Sequence, residues 1–122
     1  MIVNTQFRYI TKAVKYIVDP YEDILAPLLQ SSWIVESWGR PYKADVCNST
    51  YSIINNEQVT YVTPSKNTQD HSKWAVSADI AGLICMSGLN HMSSQRNRGG
   101  SFICFNHVVL YNALKYKIMS PT

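Results

Sequence analysis

The sequence has no run approaching the roughly 18 apolar residues that a membrane-spanning helix needs. It also has no P-loop, no HExxH, no paired-carboxylate motif and no dinucleotide-binding glycine fingerprint. Its opening, MIVNTQFRYITK, shows neither the uninterrupted apolar core nor the small-residue cleavage site of a signal peptide, so a cytoplasmic location is expected. Acids are few. Eight Asp and Glu cannot furnish the dense negative surface of a protein posing as DNA, and eleven Lys and Arg leave a net charge of only +3, too mild to announce nucleic-acid binding. There are three cysteines, Cys47, Cys85 and Cys104, with no CxxC spacing, which suits reduced, buried thiols better than a disulfide framework.

What is present is enough apolar material for one folded domain over residues 1–122, with 46% hydrophobic and 16% charged residues. Residues 2–18 mix apolar and polar types without a settled period and read as an edge strand or a short helix. In the stretch DPYE, Asp19 is an N-cap, Pro20 takes the first helical position, and Glu22 is placed to complete a capping box. Pro27 predicts a break near Ala26, with a second helical piece carrying Trp33, Ile34 and Trp38. Residues 46–54 and 58–63 are rich in β-branched and aromatic types on either side of Asn55, Asn56 and Glu57, which predicts a β-hairpin. Residues 64–73 read as a loop, and Lys73 to Val76 as a short strand.

Ser77 opens SADIAGLICMSGLNH, which places Ala78, Ala81, Gly82, Cys85 and Gly88 in one arc of a helical wheel. This predicts a buried helix of small residues, joined through QRNRGG to a second helix along SFICFNHVVLYNALKYKI. The expected fold is α+β, a small antiparallel β-hairpin or sheet packed against a helical hairpin and N-terminal helices.

Candidate chemistry is sparse. Cys85, Cys104, His91 and His107 lack the two close ligand pairs of a zinc site, and a Cys85–His107 nucleophile pair lacks a recognisable nucleophile turn. Asp79 fits the first turn of the expected helix, where its charge complements the dipole. Arg96 and Arg98 precede a helix start and suit an anion. No catalytic residue, metal site or cofactor is assigned.

The order of features resembles the ArdB/KlcA family of antirestriction proteins over roughly residues 28–116. Tyr51, Asn55, Asn56, Tyr61 and Pro64 occupy the places of that family's hairpin, and Ser77, Ala78, Ala81, Gly82 and Leu83 those of its Ala-Gly helix. Asn90 and His91 match a polar pair near the helix end, and His107, Leu110, Tyr111, Ala113 and Leu114 match a final helix. The resemblance implies a non-enzymatic, cytoplasmic inhibitor carried by plasmids or phages. Such a protein would protect DNA by contacting a host defence complex, the type I restriction enzyme or an associated factor, without DNA mimicry. On that reading Asn90, His91, Arg96 and Arg98 form the exposed end of the helical hairpin and the candidate partner-binding surface. Two other readings stand beside it. One is a nucleic-acid-binding module using Arg96 and Arg98 with Lys115 and Lys117, and the other a small enzyme built on Cys85 or Cys104 with a histidine. The oligomeric state stays open, and His71 has no assigned role.

Overall fold

A computed structural model describes residues 6–37, 45–47, 50–56, 58–60, 64–66 and 73–119. The chain is α+β. A six-stranded sheet runs in the order β1-β8-β7-β6-β2-β3, and a separate two-stranded ribbon pairs β4 with β5. The large sheet comprises β1 (Phe7–Lys12), β2 (Trp33–Glu36), β3 (Ile53–Asn55), β6 (Trp74–Ser77), β7 (Leu83–Ser87) and β8 (Gly100–Asn106). Every pairing in it is antiparallel except that of β2 with β3. The ribbon joins β4 (Gln58–Thr60) to β5 (Pro64–Lys66).

Asp19 starts a helix as its residue type dictates, its Oδ1 accepting from the backbone N–H of Tyr21 (2.9 Å) and of Glu22 (2.8 Å). The reciprocal bond comes from Asp23, whose Oδ2 accepts from the Asp19 N–H at 2.8 Å, rather than from Glu22. The first turns, Pro20–Leu25, are π-helical, and α1 (Ala26–Leu29) continues from them, so the change near Ala26 is one of helix type. The segment ends at Gln30, in the left-handed region at φ 52°. The chain then enters β2, so Trp33 and Ile34 lie in a strand; Trp38 is outside the described residues.

The predicted hairpin of residues 46–63 is not formed as such. Ile53–Asn55 runs parallel to β2, with an isolated bridge from Val46 to Ile53, and Gln58–Thr60 turns instead to Pro64–Lys66. The predicted helix of residues 77–91 is also corrected. Ser77 ends β6, its Oγ accepts from the N–H groups of Asp79 (3.1 Å) and Ile80 (2.7 Å), and the capping chemistry serves a turn. Asp79 serves that crossing too, its Oδ2 accepting from the Ser32 N–H at 2.6 Å. Gly82, at φ 88°, takes the chain into β7. Leu83–Ser87 is a central strand with apolar groups on both faces, which removes the period-two signature and leaves a continuous apolar run.

The first half of the predicted C-terminal helix is likewise β8; α2 covers only Val108–Met119. His107 makes the boundary, because its carbonyl accepts from Tyr111 N (2.9 Å) and its Nδ1 accepts from Leu110 N (3.0 Å). The antiparallel β7–β8 pair thus stands where a helical hairpin was expected.

The sheet is covered on both faces. On one, Tyr21, Leu25, Ala26 and Leu29 pack on Trp33, Val35, Ala75, Phe102 and Cys104. On the other, Tyr111 of α2, with Leu110 and Leu114, packs on Trp74, Val76 and Ile84. Cys85 and Cys104 are direct cross-strand partners on β7 and β8 with Cα atoms 4.1 Å apart, and they form a disulfide. This overturns the expectation of reduced thiols, since register has brought together cysteines 19 residues apart. Cys47 is free and exposed. No described helix is long and apolar enough to cross a membrane.

Candidate functional site at one end of the sheet

One end of the sheet gathers the polar groups. There β1 ends at Lys12, β2 at Glu36, β3 at Asn55 and β7 at Ser87, while β6 begins beside Lys73 and β8 at Gly100. The Ser87 N–H donates to the Lys73 carbonyl at 3.0 Å and fixes Lys73 at this rim. Between β7 and a 3-10 helix at Ser93–Asn97 the chain is held by polar bonds instead of regular structure. Leu89 N donates to Ser87 Oγ (2.8 Å), Asn90 N to Gln95 Oε1 (3.2 Å) and His91 N to Ser37 Oγ (3.0 Å).

His91 is wholly buried and is the hub of this end. Its Nδ1 lies 2.5 Å from Asn55 Oδ1. The orientation of the Asn55 amide is set from the far side, because its Nδ2 donates to the Asp45 carboxylate at 2.9 Å, leaving its oxygen for the ring. His91 Nδ1 is therefore the donor. The Nε2 atom faces Glu22 Oε1 at 3.3 Å and Asp19 Oδ2 at 3.9 Å. Asp19, Glu22 and His91 are the described residues whose ligand atoms converge closely enough to hold a cation, all within 4.8 Å of one another. Tyr21 stands edge-on to the His91 ring, with centroids 5.6 Å apart, and its hydroxyl donates to the Leu89 carbonyl. Burial pushes the Tyr21 phenol well above the ordinary tyrosine range; the Ser87 hydrogen bond opposes this and the Asp19 charge reinforces it. Glu36, also buried, accepts from Asn56 Nδ2 at 2.7 Å.

Chemically, this end is a buried network of carboxylates, amides and one imidazole that joins three chain segments. Asn90 and His91, expected on an exposed hairpin end, are buried instead (6% and 0% exposed), because the chain enters them from a central strand and not from a helix tip. Arg96 and Arg98 are exposed, on the loop that leads into β8. The four residues share one end of the fold, two inside it and two on its surface.

The zinc and thiol readings dissolve in the same geometry. Cys85 and Cys104 are joined to each other, and His107 caps α2 at the opposite end of the sheet from His91. Lys115 lies over the Tyr111 ring, 5.5 Å from its centroid. His71 is outside the described residues. Sequence reasoning missed Asp19, Glu22 and Asn55 as neighbours of His91, and Lys12 as the anchor of the Arg96 and Arg98 carbonyls; DPYE and the Asn55-Asn56 pair carried only local signals, of a cap and a turn.

Comparison with known proteins supplies what the geometry does not. Residues 2–121 match the family model of Deoxyribonuclease II. Deoxyribonuclease-2 of Caenorhabditis elegans is 32% identical over 111 residues, covering 88% of this chain and 30% of that protein. Plancitoxin-1 of Acanthaster planci is 34% identical over 109 residues, 84% of this chain and 30% of its own. A putative deoxyribonuclease-2 of Burkholderia thailandensis is 30% identical over 115 residues, 88% of this chain and 33% of its own. The chain spans about a third of the length of these curated relatives.

These matches overturn the antirestriction resemblance, and with it the plasmid or phage setting, the restriction-enzyme partner and the non-enzymatic reading. The resemblance depended on an Ala-Gly helix at residues 77–91, and that stretch is turn and strand.

Proposed function

The chain belongs to the deoxyribonuclease II family, and on that footing we propose that it contributes to the hydrolysis of phosphodiester bonds in DNA. The observation that carries this reading is the family match along residues 2–121, which includes every strand of the large sheet. Cleaving a phosphodiester needs a group that attacks phosphorus or moves protons there, and cations for the phosphoryl oxygens. The sequence offers three histidines. The ring of His91 is inside the protein and engaged on both nitrogens, and that of His107 caps α2.

His71 is the remaining imidazole, two residues before Lys73 in the stretch QDHSKW. Lys73 adjoins the polar end of the sheet. We therefore assign His71 the chemical role and Lys73 that of a phosphate-binding cation. Asn90, His91 and the carboxylates behind them serve as the rigid support of that rim.

The Cys85–Cys104 bridge supports folding in an oxidising compartment, which replaces the cytoplasmic expectation in this reading. The test is nicking of supercoiled plasmid by the purified chain, with Lys73→Gln and His107→Gln beside it. Nicking lost with Lys73→Gln and kept with His107→Gln is expected. Equal activity in all three would refute the assignment.

A further inference from the structure

Lys12, the last residue of β1, is 4% exposed. Burying an ammonium is expensive unless its donors are satisfied. Lys12 Nζ donates to the Arg96 carbonyl at 2.8 Å and to the Arg98 carbonyl at 2.5 Å. Both acceptors belong to one short loop, 84 and 86 residues away in sequence. The loop is seated closely as well. A Cβ on Gly99 would lie 3.1 Å from the Lys12 carbonyl oxygen, and one on Gly100 would lie 2.8 Å from Leu89 Cγ. A buried cation and two glycines thus fix a loop backbone whose Arg96 and Arg98 side chains are exposed. Among the described residues, nothing in the sheet or core needs those two guanidinium groups, whereas planar guanidinium forks suit phosphate oxygens.

We propose that the Arg96–Arg98 loop is a binding surface for the DNA sugar-phosphate backbone, with Lys12 as the positioning residue that holds it at the polar end of the sheet. This rests on the reading of the chain as a participant in DNA cleavage. It adds where the substrate backbone lies, beside the rim that carries Lys73. The arginines contact phosphates and read no base, so the contribution is independent of sequence and sensitive to salt.

The experiment is fluorescence-anisotropy titration of a phosphorothioate duplex, which resists cleavage, between 50 and 200 mM KCl. The proteins are the wild type, Arg96→Ala with Arg98→Ala, Lys12→Met, and Lys115→Ala on α2 as a basic control, each checked for folding by near-ultraviolet circular dichroism. Two lost phosphate contacts should reduce the slope of log K against log salt by about 2, at about 0.9 per contact. Lys12→Met, which leaves both arginines in the chain but frees the loop, should also lower the slope. Loss of packing alone would not move that readout.

If Lys12→Met does not fold, the exposed double variant still decides. A double variant with the wild-type slope overturns the inference, as does an equal fall with Lys115→Ala. Cleavage of the unmodified duplex by the wild type is followed in parallel. Tight, arginine-dependent binding without any cleavage would remove the nuclease reading, whereas cleavage with an unchanged slope would remove only this loop.

Discussion

Breaking the Cys85–Cys104 bridge should lower the thermal midpoint by more than ten degrees. Both sulfur-bearing residues are buried, at 1% and 0% exposure, and they tie neighbouring strands in the middle of the sheet. The bridge closes a loop of sequence separation 19. Chain-entropy reasoning gives a loop of that size about 3 kcal/mol, because the cross-link removes open conformations from the unfolded ensemble. Unfolding entropy near the midpoint is about 2 cal/mol/K per residue, so for 122 residues this corresponds to a shift of about 12 °C. Differential scanning calorimetry would be run on oxidised protein, on protein held in a phosphine reductant, and on Cys85→Ala with Cys104→Ala. The reductant should shift the wild type and leave the double variant unmoved. A shift below about 3 °C in the reduced wild type would refute the reasoning, meaning that the bridge does not restrict the unfolded chain as the loop-closure argument requires.

Three further outcomes are expected from the same contacts. Tyr21 is held un-ionised by burial, so its native ionisation lies above that of the unfolded chain; its contribution to stability is intact below about pH 10 and is lost as pH rises further. Absorbance titration near 295 nm should therefore show at least one of the eight tyrosines silent until alkaline unfolding, and full titration of all eight in folded protein would contradict this. Gly82→Ala forces a side chain into φ 88° and places a Cβ 2.6 Å from Asn106 Oδ1, so urea unfolding should show a loss of about 1–3 kcal/mol; an unchanged midpoint would mean that the β6–β7 turn has another conformation. His91→Ala removes the ring N–H that Asn55 accepts and the group that Glu22 faces inside the fold, which should cost about 3 kcal/mol in the same assay. A cost under about 0.5 kcal/mol would show that His91 is not the hub of this end.

The sequence was most readable where the signal is local. Asp19 and Pro20 announce a helix start that the backbone bonds realise, the Lys73–Val76 strand forms as β6, and the α+β class agrees with the mixed periodicity. Reading failed where tertiary burial set the pattern. Leu83–Ser87 is apolar on both sides because it is central in a sheet covered on both faces, and a run of this kind has neither the period of a helix nor that of a half-buried strand. The same misreading supplied the Ala-Gly helix of the false family resemblance, whose hairpin fails separately because Ile53–Asn55 pairs with β2.

The candidate site was half visible. Asn90 and His91 drew attention as polar residues after an apolar run, but the partners of His91 lie 36 and 69 residues away, at Asn55 and Glu22. Lys12 was equally silent, because its role depends on carbonyls more than 80 residues along the chain. The disulfide shows the same limit: its cysteines meet by strand register, which no spacing rule encodes.

On the proposed reading, DNA phosphodiester hydrolysis by this chain runs through the imidazole of His71. The direct measurement is release of acid-soluble nucleotide from duplex DNA by the purified chain and by His71→Asn, with near-ultraviolet circular dichroism confirming that both are folded. Release by the wild type and at least a hundredfold less by the variant is expected, in line with the roughly 10²–10⁴-fold scale of acid–base catalysis. Release by His71→Asn at the wild-type rate, or none by the folded wild type, would contradict it.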